Sequence, residues 1–184
     1  MSYKPGEGDF LSRAELLAIA REVIADADGR AMAIGGGLAM QLYGSDRLTR
    51  DVDIIASVAP RTGERLTFGG RRFRLRNVPV DVIVRSDQWA RLYRSGLRNR
   101  VTLSGWPVVS KDHLAAMKMV AGRDKDLGDL KTLIKLSSPS EIKTMRATIV
   151  KFLGPYAGEE FDAEVELAAW EKSTGRDRRA RRRR

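Results

Sequence analysis

Cysteine is absent from the 184 residues, and histidine occurs once, as His113. The first absence excludes disulfides, a thiolate metal site and a thiol nucleophile. The second excludes a multi-histidine metal site within one chain. No apolar run approaches the length needed to span a bilayer, and the opening "MSYKPGEGDF" lacks the basic-then-apolar pattern of a secretory leader. A cytoplasmic protein with no membrane partner is expected. The remaining composition, 42% hydrophobic and 32% charged, is that of an ordinary globular chain. Its length suits one domain with a helical appendage.

Positive charge is unevenly placed. The stretch "RDRRARRRR" (176–184) holds seven arginines and one aspartate, which accounts for +6 of the formal net charge of +10. Such a run repels itself and is expected to be disordered in isolation. Nucleic acid is the polyanion that would order it; a plain solubilising end is the alternative.

Capping signals and periodicity set out the elements. "FLSRAELLAIAREVIADADG" predicts a helix with Ser12 as cap, Glu15 completing a capping box and Gly29 as stop. "RAMAIG" predicts a short strand and "GLAMQLYGS" a second helix. "DVDIIAS" predicts a strand with Val52 and Ile54 on one face and Asp51 and Asp53 on the other. "ERLTFGGRRFRL" predicts a hairpin around Gly69 and Gly70. "VPVDVIV" is another strand, whose Pro79 marks a strand start or an edge.

"SDQWARLYRSG" then predicts a helix, and "RVTLSGWPVVS" an extended piece leading to Ser110. From there the pattern is helical, through "SKDHLAAMKMVAG", "RDKDLGDLKTLIKL", "SSPSEIKTMRATIVKFLG" and "EEFDAEVELAAWEKS". Ser138 caps the third of these, with Glu141 closing its box. Strands followed by helices indicate an α+β fold with a helical C-terminal part. The expected divisions are 1–136, 137–175 and a tail at 176–184.

Residues two apart on a strand point the same way, roughly 6.5 Å apart. Asp51 and Asp53 therefore form a pincer, which Asp81 joins if its strand is a neighbour. Three carboxylates without histidine or cysteine make a hard oxygen site suited to Mg²⁺ or Mn²⁺. The alternative is that alternation has simply put both aspartates on the solvent side of a half-buried strand. Gly35, Gly36 and Gly37 sit at a strand-to-helix turn, where free backbone N–H groups and the helix dipole favour a phosphate.

A glycine pair after a strand, a helix, Asp-x-Asp on the next strand and a third Asp on a later one together resemble the nucleotidyltransferase superfamily. "TRDVDII" is similar to the family's usual lead into its acidic pair. The resemblance implies a mixed β-sheet flanked by helices, with Asp51, Asp53 and Asp81 binding Mg²⁺ and Asp81 serving as base for an acceptor hydroxyl. Many members carry serine or threonine after the glycines, where this chain has Gly37. The phosphate-holding role then falls to backbone N–H groups.

"DHLAAMKMVAGRDKDLGDL" (112–130) resembles a later segment of the AbiEii-like branch, the nucleotidyltransferase toxins of type IV toxin–antitoxin pairs. Lys118, Arg123, Lys125, Asp126 and Asp129 occupy its lysine and R-x-K-D-x-x-D positions. The resemblance implies that Lys118 contacts nucleotide phosphates and that Asp126 or Asp129 shapes the pocket. A solvated lysine and a charged helical face with ion pairs are the alternatives. Arg50 is placed either to neutralise a phosphate or to pair with an aspartate, and His113 at the surface or as a cap.

The expected activity is Mg²⁺-dependent transfer of NMP from an NTP such as ATP to a hydroxyl of a macromolecular acceptor. RNA, for example tRNA, is favoured over protein, in a toxin–antitoxin setting with a cognate antitoxin as partner. Two alternatives stand beside it: transfer to a small antibiotic-type molecule, and a non-catalytic member of the fold that binds nucleotide or nucleic acid.

Overall fold

Valine and isoleucine dominate the central strands, and they build the sheet of the N-terminal unit. The computed structural model describes residues 11–27 and 29–181, the last seven by their backbone alone. The chain forms two compact units, Met1–Ser110 and Lys111–Arg184. The first contains β1 (Met32–Ile34), β2 (Val52–Ala56), β3 (Glu64–Arg65), β4 (Gly70–Leu75), β5 (Val78–Ile83), β6 (Val101–Leu103) and β7 (Trp106–Val108). These make one mixed sheet in the order β3-β4-β5-β2-β1-β7-β6.

Three helices complete this unit: α1 (Arg13–Ala25), α2 (Gly36–Leu42) and α3 (Ala90–Arg98). Ser12 and Glu15 form the expected capping box on α1, which buries Leu16, Ile19, Ala20 and Val23. That apolar stripe packs towards α2 and β2. Val52 and Ile54 of β2 and Val80 and Val82 of β5 are fully buried, so both central strands are covered on that face.

The C-terminal unit holds α4 (Lys111–Ala121), α5 (Asp124–Lys135), α6 (Pro139–Leu153) and α7 (Pro155–Arg181). Ser138 caps α6, Glu141 closes the box and Pro139 stands in the first turn. Leu114, Leu130, Leu133, Met145, Ile149 and Phe161 are its fully buried large side chains. The units divide after Ser110, earlier than the expected 136, because α4 packs on α6 and α5 on α7. No helix among the described residues is long and apolar enough to cross a membrane.

Three local expectations change. Pro79 is not at an edge: β5 lies between β4 and β2. It is tolerated as the second residue of the strand, because pairing with β2 begins one residue later, at Val52 and Val80. "RVTLSGWPVVS" is not merely extended but folds as the antiparallel hairpin β6–β7, turning at Ser104 and Gly105, both with positive φ. The helix predicted from "EEFDAEVELAAWEKS" extends to Arg181, so it runs into the tail expected to be disordered. Residues 182–184 of that tail lie outside the described residues.

Candidate functional site

Strand register builds a row of charges. β2 and β5 are parallel neighbours, with Asp53 opposite Asp81, between the apolar pairs Val52–Val80 and Ile54–Val82. β4 runs antiparallel beside β5 and places Arg72 opposite Asp81; β3 places Glu64 opposite Arg72. Four strands thus carry Glu64, Arg72, Asp81 and Asp53 in line. Asp51 stands immediately before β2, two residues from Asp53, and accepts a 2.6 Å hydrogen bond from the Thr49 hydroxyl.

Asp81 is 7% exposed and is held by both arms of one guanidinium. Arg72 Nε and a terminal nitrogen each donate to a different Asp81 oxygen at 2.6 Å. Such a fork is the strong form of a charge-assisted bond. Asp81 accordingly raises the pKa of Arg72, through these hydrogen bonds first and its charge second, with Glu64 and Asp53 adding to the effect. Arg72 is the resident cation of the acidic row.

The three glycines serve a tight turn. Gly35 caps α2, and its N–H donates to the Asp53 carbonyl at 2.8 Å. Gly36 has φ +53, and a Cβ there would lie 1.7 Å from Asp53 Oδ2. Only glycine meets both constraints. A Cβ on Gly37 would lie 2.5 Å from the Thr49 hydroxyl oxygen. The hydroxyl absent at position 37 therefore stands beside it on Thr49. The first-turn N–H groups of α2 have no acceptor within the helix.

Do these residues suit a divalent ion? The donor set does: three carboxylates from one sheet region, two of them in register, with no nitrogen or sulfur ligand. Their side chains are engaged elsewhere, Asp81 with Arg72, Asp51 with Thr49 and Asp53 against Gly36. Among the described residues no three acidic or imidazole groups gather closely enough to hold a metal ion. A cation that used Asp81 would have to displace Arg72. Arg50 is exposed directly before Asp51, and neither Arg50 nor Asp53 is without a partner.

The other motif assembles in the C-terminal unit. Lys118 is 6% exposed, and its Nζ lies 3.1 Å from Asp126 Oδ1 and 2.5 Å from Asp129 Oδ2. Arg123 Nε reaches the second Asp126 oxygen at 2.5 Å. Burial pushes the Asp126 carboxyl up, but Arg123 and Lys118 outweigh it and hold its pKa below the ordinary value. Two cations and two anions close a neutral cluster. The solvated-lysine alternative is thereby excluded. His113 is likewise not at the surface: it is 5% exposed, with Nδ1 3.0 Å from Asp112 and its ring beside Phe152.

Arg72 and Thr49 were not anticipated from the sequence. Arg72 and Arg74 in "GRRFRL" share a strand face by alternation, and the hairpin around Gly69–Gly70 sets which face meets Asp81. Thr49 lies two residues before Asp51, near enough along the chain for its hydroxyl to reach that carboxylate.

No protein-family model matches the chain. No curated protein sequence matches it. Among solved structures, the chain is similar to an antigenic nucleotidyltransferase-like protein from Paracoccidioides brasiliensis, with a TM-score of 0.50 and 16% identity. The match covers 86% of this chain and 95% of that one. With the mixed sheet and the helical C-terminal part, this likeness gives the chain a nucleotidyltransferase-like α+β fold.

Proposed function

We propose that this protein is a nucleotidyltransferase that binds an NTP and moves NMP to a hydroxyl of a macromolecular acceptor. One observation carries the reading: Asp53 and Asp81 stand in register beside a glycine turn whose Gly36 closes directly on the Asp53 carboxylate. Asp51, Asp53 and Asp81 are the groups to hold Mg²⁺ or Mn²⁺. A bound divalent cation supplies charge for the triphosphate and for the leaving oxygen.

The remaining roles fall to the chain itself. N–H groups of Gly36 and Gly37 donate to phosphate oxygens at the positive end of α2. An Asp81 oxygen released by Arg72 accepts the proton of the acceptor hydroxyl. Arg72, once released, becomes a fork-shaped donor for phosphate. An AbiEii-like toxin role, an RNA acceptor such as tRNA, a cognate antitoxin and a cytoplasmic setting belong to the same proposal. They rest on the 112–130 motif and the basic charge of the chain.

A second reading, a nucleotide-binding member without transfer activity, is favoured by the grip of Arg72 on Asp81. An arginine in the place of a cation is what a chain that has abandoned metal chemistry would carry. Incubation with labelled NTPs, Mg²⁺ and total tRNA, total protein or aminoglycosides separates the two. Label on RNA is the expected result, lost in Asp53→Asn. In parallel, Arg72→Met raises Mn²⁺ affinity several-fold in calorimetry if Asp81 is a ligand. NTP binding without label in any acceptor supports the second reading, and the absence of both binding and label defeats the proposal.

A further inference from the structure

A pocket of about 390 Å³ opens at the far end of β2 from the acidic row. Asp51 precedes that strand, whereas Ser57, a lining residue, follows it. Tyr93 and four arginines, Arg85, Arg94, Arg98 and Arg100, also line it, and among the described residues no acidic one does. The helix α3 supplies Arg94 and Arg98 one turn apart, and Arg100 follows its end. The pocket is built wholly from the N-terminal unit.

The four guanidinium groups are not equivalent. Arg85 is pinned, with Nε 3.0 Å from Asp87 Oδ1 and its guanidinium 4.8 Å and 5.1 Å from the ring centres of Phe68 and Tyr93. Its charge is answered by Asp87. Arg94, Arg98 and Arg100 are exposed and have no carboxylate partner among the described residues. Arg100 donates only to the Leu97 carbonyl, at 2.9 Å. Three like charges around one cavity repel each other, and a multiply charged anion removes that cost.

The chemistry of the rim narrows the ligand. Guanidinium forks match the paired oxygens of a phosphate, and arginine is less strongly hydrated than lysine, so it gives up water more readily. Between residues 61 and 100 the chain carries eleven arginines and three acids but no lysine. The cavity is too large for a bare inorganic ion, and its lining also includes the apolar residues Ala56, Val84 and Leu97. A ligand with a flat, weakly polar body and an anionic end fits both.

We propose that this arginine pocket binds the phosphate of a nucleotide, either free or within a single RNA strand, at a site separate from the acidic row. The proposal stands independently of the transfer reading, since no residue is shared. The test uses the full chain in EDTA, so that cation-dependent NTP binding is silent. Anisotropy of a labelled single-stranded RNA and calorimetry with AMP are compared for wild type and Arg94→Gln/Arg98→Gln/Arg100→Gln.

Tenfold or greater loss of RNA affinity is expected, with the slope of log affinity against log salt falling by about 2, at about 0.7 per phosphate contact. Loss for RNA alone identifies the strand as the source, and loss for AMP as well identifies a single-nucleotide pocket. In the unmodified protein, RNA or AMP should also protect Arg94 and Arg98 from phenylglyoxal, which answers the question even if the triple variant misfolds. Wild-type affinity and slope in a folded triple variant, or unprotected Arg94 and Arg98 at saturating RNA and AMP, overturns the proposal.

Discussion

At the scale of single residues, Lys118 is where a motif and its surroundings assign different work. The resemblance gives it a phosphate; the fold gives it Asp126 and Asp129, each 1% exposed. Removing one partner of a buried ion pair leaves an uncompensated charge and costs about 3–5 kcal/mol. Lys118→Met is therefore expected to lower the unfolding free energy by that amount in urea titration. Adding Asp129→Leu should recover much of the loss, because Asp126 keeps Arg123. An unmoved midpoint with weakened nucleotide binding would instead make Lys118 a phosphate ligand.

The same scale shows what a sequence can and cannot reveal. What alternation makes legible is that Asp53 and Asp81 lie on the strand faces opposite Val52, Ile54, Val80 and Val82. The partner of Asp81 is not legible: a one-residue slip of β4 would present Arg71 in place of Arg72. The buried state of Lys118 is hidden for a related reason, since helical spacing says nothing about which neighbouring helix covers it.

At the scale of elements, the caps were the clearest signals. Ser12 with Glu15 and Ser138 with Glu141 both form complete boxes. The β6–β7 turn escaped because its first residue, Ser104, takes a left-handed conformation usually signalled by asparagine or glycine. Glu141 also gives the α6 cap a pH signature. The Ser138 N–H first, and Lys111 second, lower its pKa from 4.5 to about 2. A carboxyl depressed on folding adds stability above its unfolded pKa and loses it as pH falls through the folded one.

The window is therefore pH 4.5 down to about 2. Glu141→Gln keeps a neutral box, so the stability difference between wild type and variant should shrink across that range. Urea midpoints taken at intervals of pH measure it. A difference that stays constant to pH 2 would mean that the Lys111 and Ser138 contacts to Glu141 contribute nothing through its charge.

At the scale of the whole molecule, arginine is concentrated in two places, the stretch 61–100 and the tail 176–184. The backbone of α7 continues to Arg181. The tail and the α3 pocket make separable claims on RNA. If most of the seven tail arginines meet phosphates, deleting residues 176–184 should lower the salt slope for single-stranded RNA by about 4 to 5. The loss should add to that of the pocket variant if the two sets of arginines, which share no residue, act separately. Nucleotide binding with Mg²⁺ should be unchanged, because the deleted stretch lies outside both motifs. A slope that is the same with and without the tail would make these arginines a solubilising end, and the tail would no longer argue for an RNA acceptor.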